Sequence, residues 1–130
     1  MTGNLAFGEE TAPLQIELPA RSESVALARH AVAEYAQRHG TDGGRVALAV
    51  SEAVTSALVH GSREPVMIRV TARLNGNALL ISVADDGAEI RPQLGDDRLG
   101  VGLALIATVT DSMSLESSTA DGTRVVMRFR

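Results

Sequence analysis

The stretch Ser51-Glu52-Ala53-Val54-Thr55-Ser56-Ala57-Leu58-Val59-His60 sets a carboxylate, a hydroxyl and an imidazole four residues apart inside an otherwise apolar run. On a helix, residues four apart stack on one face, so Glu52, Ser56 and His60 form a polar stripe. Upstream, Val46, Leu48, Ala49 and Val50 join Ala53, Val54, Ala57, Leu58 and Val59 in an apolar surface too broad for contact with a single neighbour. Such a helix lies on a sheet with a second element beside it. Asp42 stands where a cap for its first turn belongs.

Before this helix, Leu14, Ile16 and Leu18 alternate with Gln15 and Glu17 as a half-buried strand that Pro19 ends. Ser22, Glu23 and Ser24 open a first helix that turns Val25, Ala28, Val32, Tyr35 and Ala36 to one side and stops near His39 and Gly40. Beyond the second helix, Gly61 to Pro65 breaks the pattern. A strand through Val66, Ile68 and Val70 then meets a hairpin signal at Asn75-Gly76 and returns through Leu79, Ile81 and Val83. Asp85 to Gly100 reads as a long loop, Leu103, Ile106, Ala107 and Val109 as a third helix, and Ser112–Ser118 and Thr123–Arg130 as strands joined at Asp121-Gly122. Residues 1–12 read as a flexible arm and 13–130 as one domain. This order predicts an α/β fold, a two-layer sandwich in which a mixed, mostly antiparallel sheet is covered on one face by about three helices.

Composition narrows the chemistry. The 130 residues contain no cysteine, which excludes disulfides, thiolate metal sites and a cysteine nucleophile and favours a reducing, cytoplasmic setting. A formal charge of −4, with positive charge scattered as arginine, offers no basic field for nucleic acid. No apolar run approaches the length of a membrane span, and no basic leader precedes an apolar segment. Aromatics make up 2% of the chain, so the core must interlock from aliphatic side chains.

Three segments carry candidate chemistry, and each has a plain alternative. Glu52 can lie on a helix surface, Ser56 can bond back to a helix carbonyl, and His60 can cap the helix end. Asp85-Asp86-Gly87 places a carboxylate at the end of a buried strand, able to accept from an exocyclic amine beside a glycine that gives room, or else forms an ordinary turn. Gly100-Val101-Gly102 before a hydrophobic helix presents backbone N–H groups of the kind that hold phosphate. Arg98 adds charge-assisted bonds there or pairs with Asp96 or Asp97.

Taken in order, the Ser51–His60 run, Asp85-Asp86-Gly87, Gly100-Val101-Gly102-Leu103-Ala104-Leu105-Ile106 and Gly122-Thr123 resemble the motif series of the GHKL, or histidine-kinase-like, ATPase superfamily. The short chain is most similar to the anti-sigma-factor serine kinases and related stand-alone ATP-binding regulatory domains. The resemblance spans Leu14 to Arg130 and implies a Bergerat-type ATP-binding fold with ATP and Mg²⁺ as cofactors. It implies Glu52 as the catalytic or water-orienting carboxylate, Asp85 as the acceptor of the adenine amino group, and Gly87 as the support for close approach of the base. Gly100 and Gly102 form the phosphate-facing turn, with Leu103 and Arg98 in the same cofactor-binding set, and Thr123 completes the adenine end. The loop between Ala88 and Arg98 acts as a lid. As partners the resemblance implies a sigma factor, an anti-anti-sigma-type antagonist carrying a target serine, and a second copy in a homodimer. It places the sigma-factor or dimer surface on the first helix and its arm.

Two positions depart from the family pattern. Position 56 is serine where the family places the asparagine that holds Mg²⁺, so a contact to the metal there runs through a shifted helix or a water. Position 89 is glutamate where a glycine is expected. Facing a phosphate about 4 Å away at an effective dielectric near 20, it would oppose binding by roughly 4 kcal/mol. Two functions therefore stay open: an ATP-binding, anti-sigma-like regulator that phosphorylates a serine of an antagonist, or a non-catalytic interaction module on the same scaffold.

Overall fold

The computed structural model describes residues 12–60, 67–85, 104–118 and 122–130. In chain order these form β1 (Leu14–Pro19), α1 (Glu23–Arg38), α2 (Gly43–His60), β2 (Met67–Asn75) and β3 (Ala78–Asp85). A short helix α3 over 104–109, β4 (Ser112–Ser118) and β5 (Gly122–Phe129) complete the fold. The strands make one sheet in the order β1-β2-β3-β5-β4. All four strand pairings among the described residues are antiparallel, in keeping with the mostly antiparallel sheet that the element order predicts.

The period of two seen in the sequence fixes which face the helices cover. On β3, Leu79, Ile81, Val83 and Asp85 are buried while Leu80, Ser82 and Ala84 are half-buried on the other face. Across the ladder Val70, Val83 and Val125 stand in register, as do Ala72, Ile81 and Met127. They meet Val46, Ala49, Val50, Ala53, Val54 and Ala57 from α2 and Ala28, Val32, Tyr35 and Ala36 from α1 in one core. Phe129 is fully buried at the end of β5. The broad apolar surface of α2 is thus shared between the sheet and α1, except that Leu48 is 41% exposed. Helical spacing turns it away from both layers. The opposite face of the sheet carries Arg69, Arg73, Arg124 and Arg128, with Glu17 paired to Arg69 at 2.9 Å and Glu116 to Arg124 at 3.6 Å.

The helix ends follow local chemistry. Ser22 precedes α1 but makes no capping bond; instead Ser24, buried in the first turn, donates its Oγ–H to the Pro19 carbonyl at 2.5 Å. The serine that matters is the one facing the core, because a hydroxyl without water needs an internal acceptor. At the other end Gly40, at φ +80°, supplies the left-handed residue of a Schellman turn: Thr41 N–H bonds the Ala36 carbonyl and Gly40 N–H the Gln37 carbonyl. Asp42 caps α2 as its sequence position predicts, with Oδ1 accepting from Gly44 N–H at 2.9 Å and Arg45 N–H at 3.3 Å.

The β2–β3 hairpin forms, one residue later than the Asn75-Gly76 signal places it. Asn75 is the last paired residue of β2, opposite Ala78, and Gly76-Asn77 makes the turn. Only Gly76 has positive φ, at +65°, which fits a turn needing glycine at its first central position and not the two left-handed residues of an Asn-Gly turn. Of the turn expected at Asp121-Gly122, Asp121 lies outside the described residues, and Gly122 pairs with Ser118 as the first residue of β5.

Candidate nucleotide site

The candidate residues that the structure describes stand at the carboxyl end of β3 and on the polar stripe of α2, two elements that pack against each other. Asp85 is the last residue of β3 and shares the helix-covered face with Val83 and Ile81, two and four residues back. It is 4% exposed, and Asp85 and Ser24 are the buried polar side chains among the described residues. Burying a carboxylate costs several kcal/mol unless polar partners answer it, at roughly 2–7 kcal/mol even for a neutral polar group. Asp85 does have an interaction within the chain.

Glu52 and Ser56 are both half-buried on α2, one turn apart, as the four-residue spacing requires. Three other hydroxyls bond to the carbonyl four residues back: Ser51 to Ala47 at 2.7 Å, Thr108 to Ala104 at 2.8 Å and Thr110 to Ile106 at 2.8 Å. The Ser56 hydroxyl does not; among the described residues it makes no hydrogen bond, so the back-bonding alternative fails. Glu52 likewise has no ion pair or hydrogen bond from its side chain among the described residues. Among the described residues neither side chain is taken up by a hydrogen bond or ion pair, so a carboxylate and a hydroxyl one turn apart, both half-buried, keep donor and acceptor capacity.

The side chain of His60 lies outside the described residues, as do Gly87, Glu89, Arg98, Gly100, Gly102 and Leu103. Thr123 is placed by its backbone on β5 opposite Ser117. Its side chain is outside the described set.

These residues fit a nucleotide unequally. Asp85 is a buried carboxylate that already has an interaction within the chain, while Glu52 with Ser56 offers oxygen atoms on the adjoining helix. No group of three or more metal-ligating side chains gathers among the described residues. Mg²⁺ there would bring most of its shell as phosphate oxygens and water, as that ion commonly does.

One feature that sequence reading missed is Arg45, which opens the same face of α2. Its Nε and Nη2 donate to the Val109 carbonyl at 3.0 and 2.7 Å, and its guanidinium carbon stands 5.9 Å from the centre of the Phe129 ring. Nothing in local sequence announces a contact between residues 64 apart.

Residues 18–129 match the family described as histidine kinase-like ATPase domain. The chain belongs to that family, and its sheet order and helix layer are the fold in which the sequence motifs make sense. Among curated relatives, the anti-sigma F factor of Clostridium beijerinckii is 34% identical, the match covering 88% of this chain and 92% of the relative. The anti-sigma F factor of Clostridium kluyveri is 30% identical over 88% of this chain and 92% of its own. That of Thermoanaerobacter sp. is 29% identical over 92% and 94%. No helix among the described residues is long and apolar enough to cross a membrane.

Proposed function

We propose that this protein is an ATP-binding regulator of the anti-sigma type, which holds a sigma factor and phosphorylates a serine of an antagonist protein. The single observation that supports the nucleotide reading is a buried Asp85 on the helix side of β3, a strand packed against the helix whose Glu52 and Ser56 make no hydrogen bond or ion pair from their side chains among the described residues. Relatives named anti-sigma F factor, matched over nearly their whole length, support the regulatory role.

In this reading Asp85 receives the adenine amino group, Gly87 and Thr123 shape the adenine end, and Arg98, Gly100, Gly102 and Leu103 attend the phosphates. Bound MgATP supplies the transferable phosphoryl group. Glu52 orients or takes the proton of the incoming serine hydroxyl, the usual work of a carboxylate in general base catalysis. Ser56 contributes a neutral oxygen in reach of a metal-bound water. A second reading, an interaction module that has lost phosphate transfer, draws on Ser56 standing at the position of a metal-binding asparagine and on the missing cluster of ligands among the described residues.

Titration calorimetry with ATP, with and without Mg²⁺, decides between them. The regulator reading expects Mg²⁺-dependent binding that Asp85→Asn weakens, and transfer of labelled phosphate to an antagonist protein that Glu52→Gln abolishes. Absence of binding at about 1 mM nucleotide, a ceiling of roughly −4 kcal/mol in affinity, would leave only the interaction module.

A further inference from the structure

Arg45 does more than begin a helix. Its two N–H groups converge on one carbonyl oxygen, that of Val109 at the C-terminal end of α3. There the helix has run out of backbone donors and carries its negative dipole end. Thr110 closes the same turn through its backbone N–H and its hydroxyl, both bonded to the Ile106 carbonyl. The guanidinium is steadied by the Phe129 ring, itself fully buried. Arginine suits this place because a planar fork can give two bonds to one acceptor while lying against a ring.

Position along α2 gives the contact its meaning. Arg45 and Glu52 are seven residues apart, two helical turns within about 20°, so both lie on one face, with Ser56 one turn further. The clamp therefore docks the end of α3 at the start of the stripe that carries the candidate site. Ile106, 1% exposed, and the half-buried Val109 pack the same helix against the core, while Leu105 and Leu48 remain 39% and 41% exposed, so Arg45 adds a polar link to a small apolar contact.

We propose that Arg45 is a positioning residue for nucleotide binding: it holds α3, the helix that directly follows Gly100 and Gly102 in the sequence, against the start of the α2 stripe that carries Glu52 and Ser56. This rests on the nucleotide reading of the site. MgATP titrations on the wild type, Arg45→Ala, Arg45→Lys and Val32→Ala test it. Val32 is a fully buried core residue of α1, and its truncation weakens the fold without touching the α2–α3 link. Arg45→Ala is expected to weaken MgATP binding by about tenfold, Val32→Ala by less than about twofold under conditions where both are folded, and Arg45→Lys to recover most of the loss. Should Arg45→Ala itself not fold, the Arg45→Lys titration still reads the effect, with a loss of about two- to threefold expected from one donor replacing two. Wild-type affinity in both Arg45 variants, or an equal loss in Val32→Ala, overturns the inference. Failure of the wild type to bind MgATP instead removes the nucleotide reading beneath it, and the two failures are told apart on the wild-type curve alone.

Discussion

Replacing Ser56 by alanine separates a residue kept for a ligand from one kept for the fold. Its hydroxyl has no hydrogen-bond partner among the described residues, so truncation removes no internal bond. Position 56 is interior to an 18-residue helix, where alanine is favoured over serine by up to roughly 0.5 kcal/mol. The methyl that remains is half-buried and leaves no appreciable cavity. Stability should therefore hold or rise, by about 2 °C in melting temperature for a domain of this size. Ser24→Ala gives the contrast: it deletes a buried bond to the Pro19 carbonyl and should cost about 1 kcal/mol. Thermal unfolding followed by circular dichroism, with and without MgATP, measures both effects. Ser56→Ala should match or exceed the wild type without nucleotide and show a smaller stabilisation by MgATP. A stability loss above about 1 kcal/mol would show that the hydroxyl serves the fold. An unchanged ligand-induced shift would refute its place in the site.

Two further tests bear on the scaffold. Burial raises the pKa of Tyr35, with Arg38 pulling the other way, and its hydroxyl donates to the Ala12 carbonyl at 3.0 Å. A phenol held neutral by the fold contributes stability that is complete below its unfolded pKa of about 10 and is lost as pH rises through the higher folded value. Tyr35→Phe should cost about 1 kcal/mol at neutral pH and remove that alkaline loss, read from urea melts at pH values near 7 and 11. Gly40→Ala meets no steric neighbour but must hold φ at +80°, so it should destabilise by about 1–2 kcal/mol in the same melts; a cost near zero would contradict the left-handed cap.

The sequence exposes what repeats locally and hides what closes at a distance. Leu79, Ile81 and Val83 announce the buried face of β3 because a strand side chain repeats every two residues, and that same count puts Asp85 on the helix side. Asp42 could be read as a cap because its partners are two and three residues away. The clamp from Arg45 to Val109 and the tether from Tyr35 to Ala12 could not, since each depends on how separate elements pack. Near misses came from rules satisfied by adjacent residues. Ser22 and Ser24 both suit a helix start, and burial chose Ser24; Asn75-Gly76 and Gly76-Asn77 both suit a hairpin, and strand register chose the second. At the site, the spacing of Glu52 and Ser56 was legible, but that Ser51 bonds back to Ala47 while Ser56 makes no hydrogen bond among the described residues was visible only in the structure.

The strand order has a consequence for how the chain reaches this structure. β5 follows β4 in sequence yet lies inside it, paired with β3 on one side and β4 on the other. The β2–β3 hairpin and the β4–β5 pair are local and can form on a timescale of about microseconds. The sheet closes only when the second hairpin docks its leading edge onto β3, a non-local step that slows folding. A nascent chain that has not reached residue 122 holds β1, both long helices and the first hairpin, with the edge of β3 bare, and is a template for aggregation until β5 arrives.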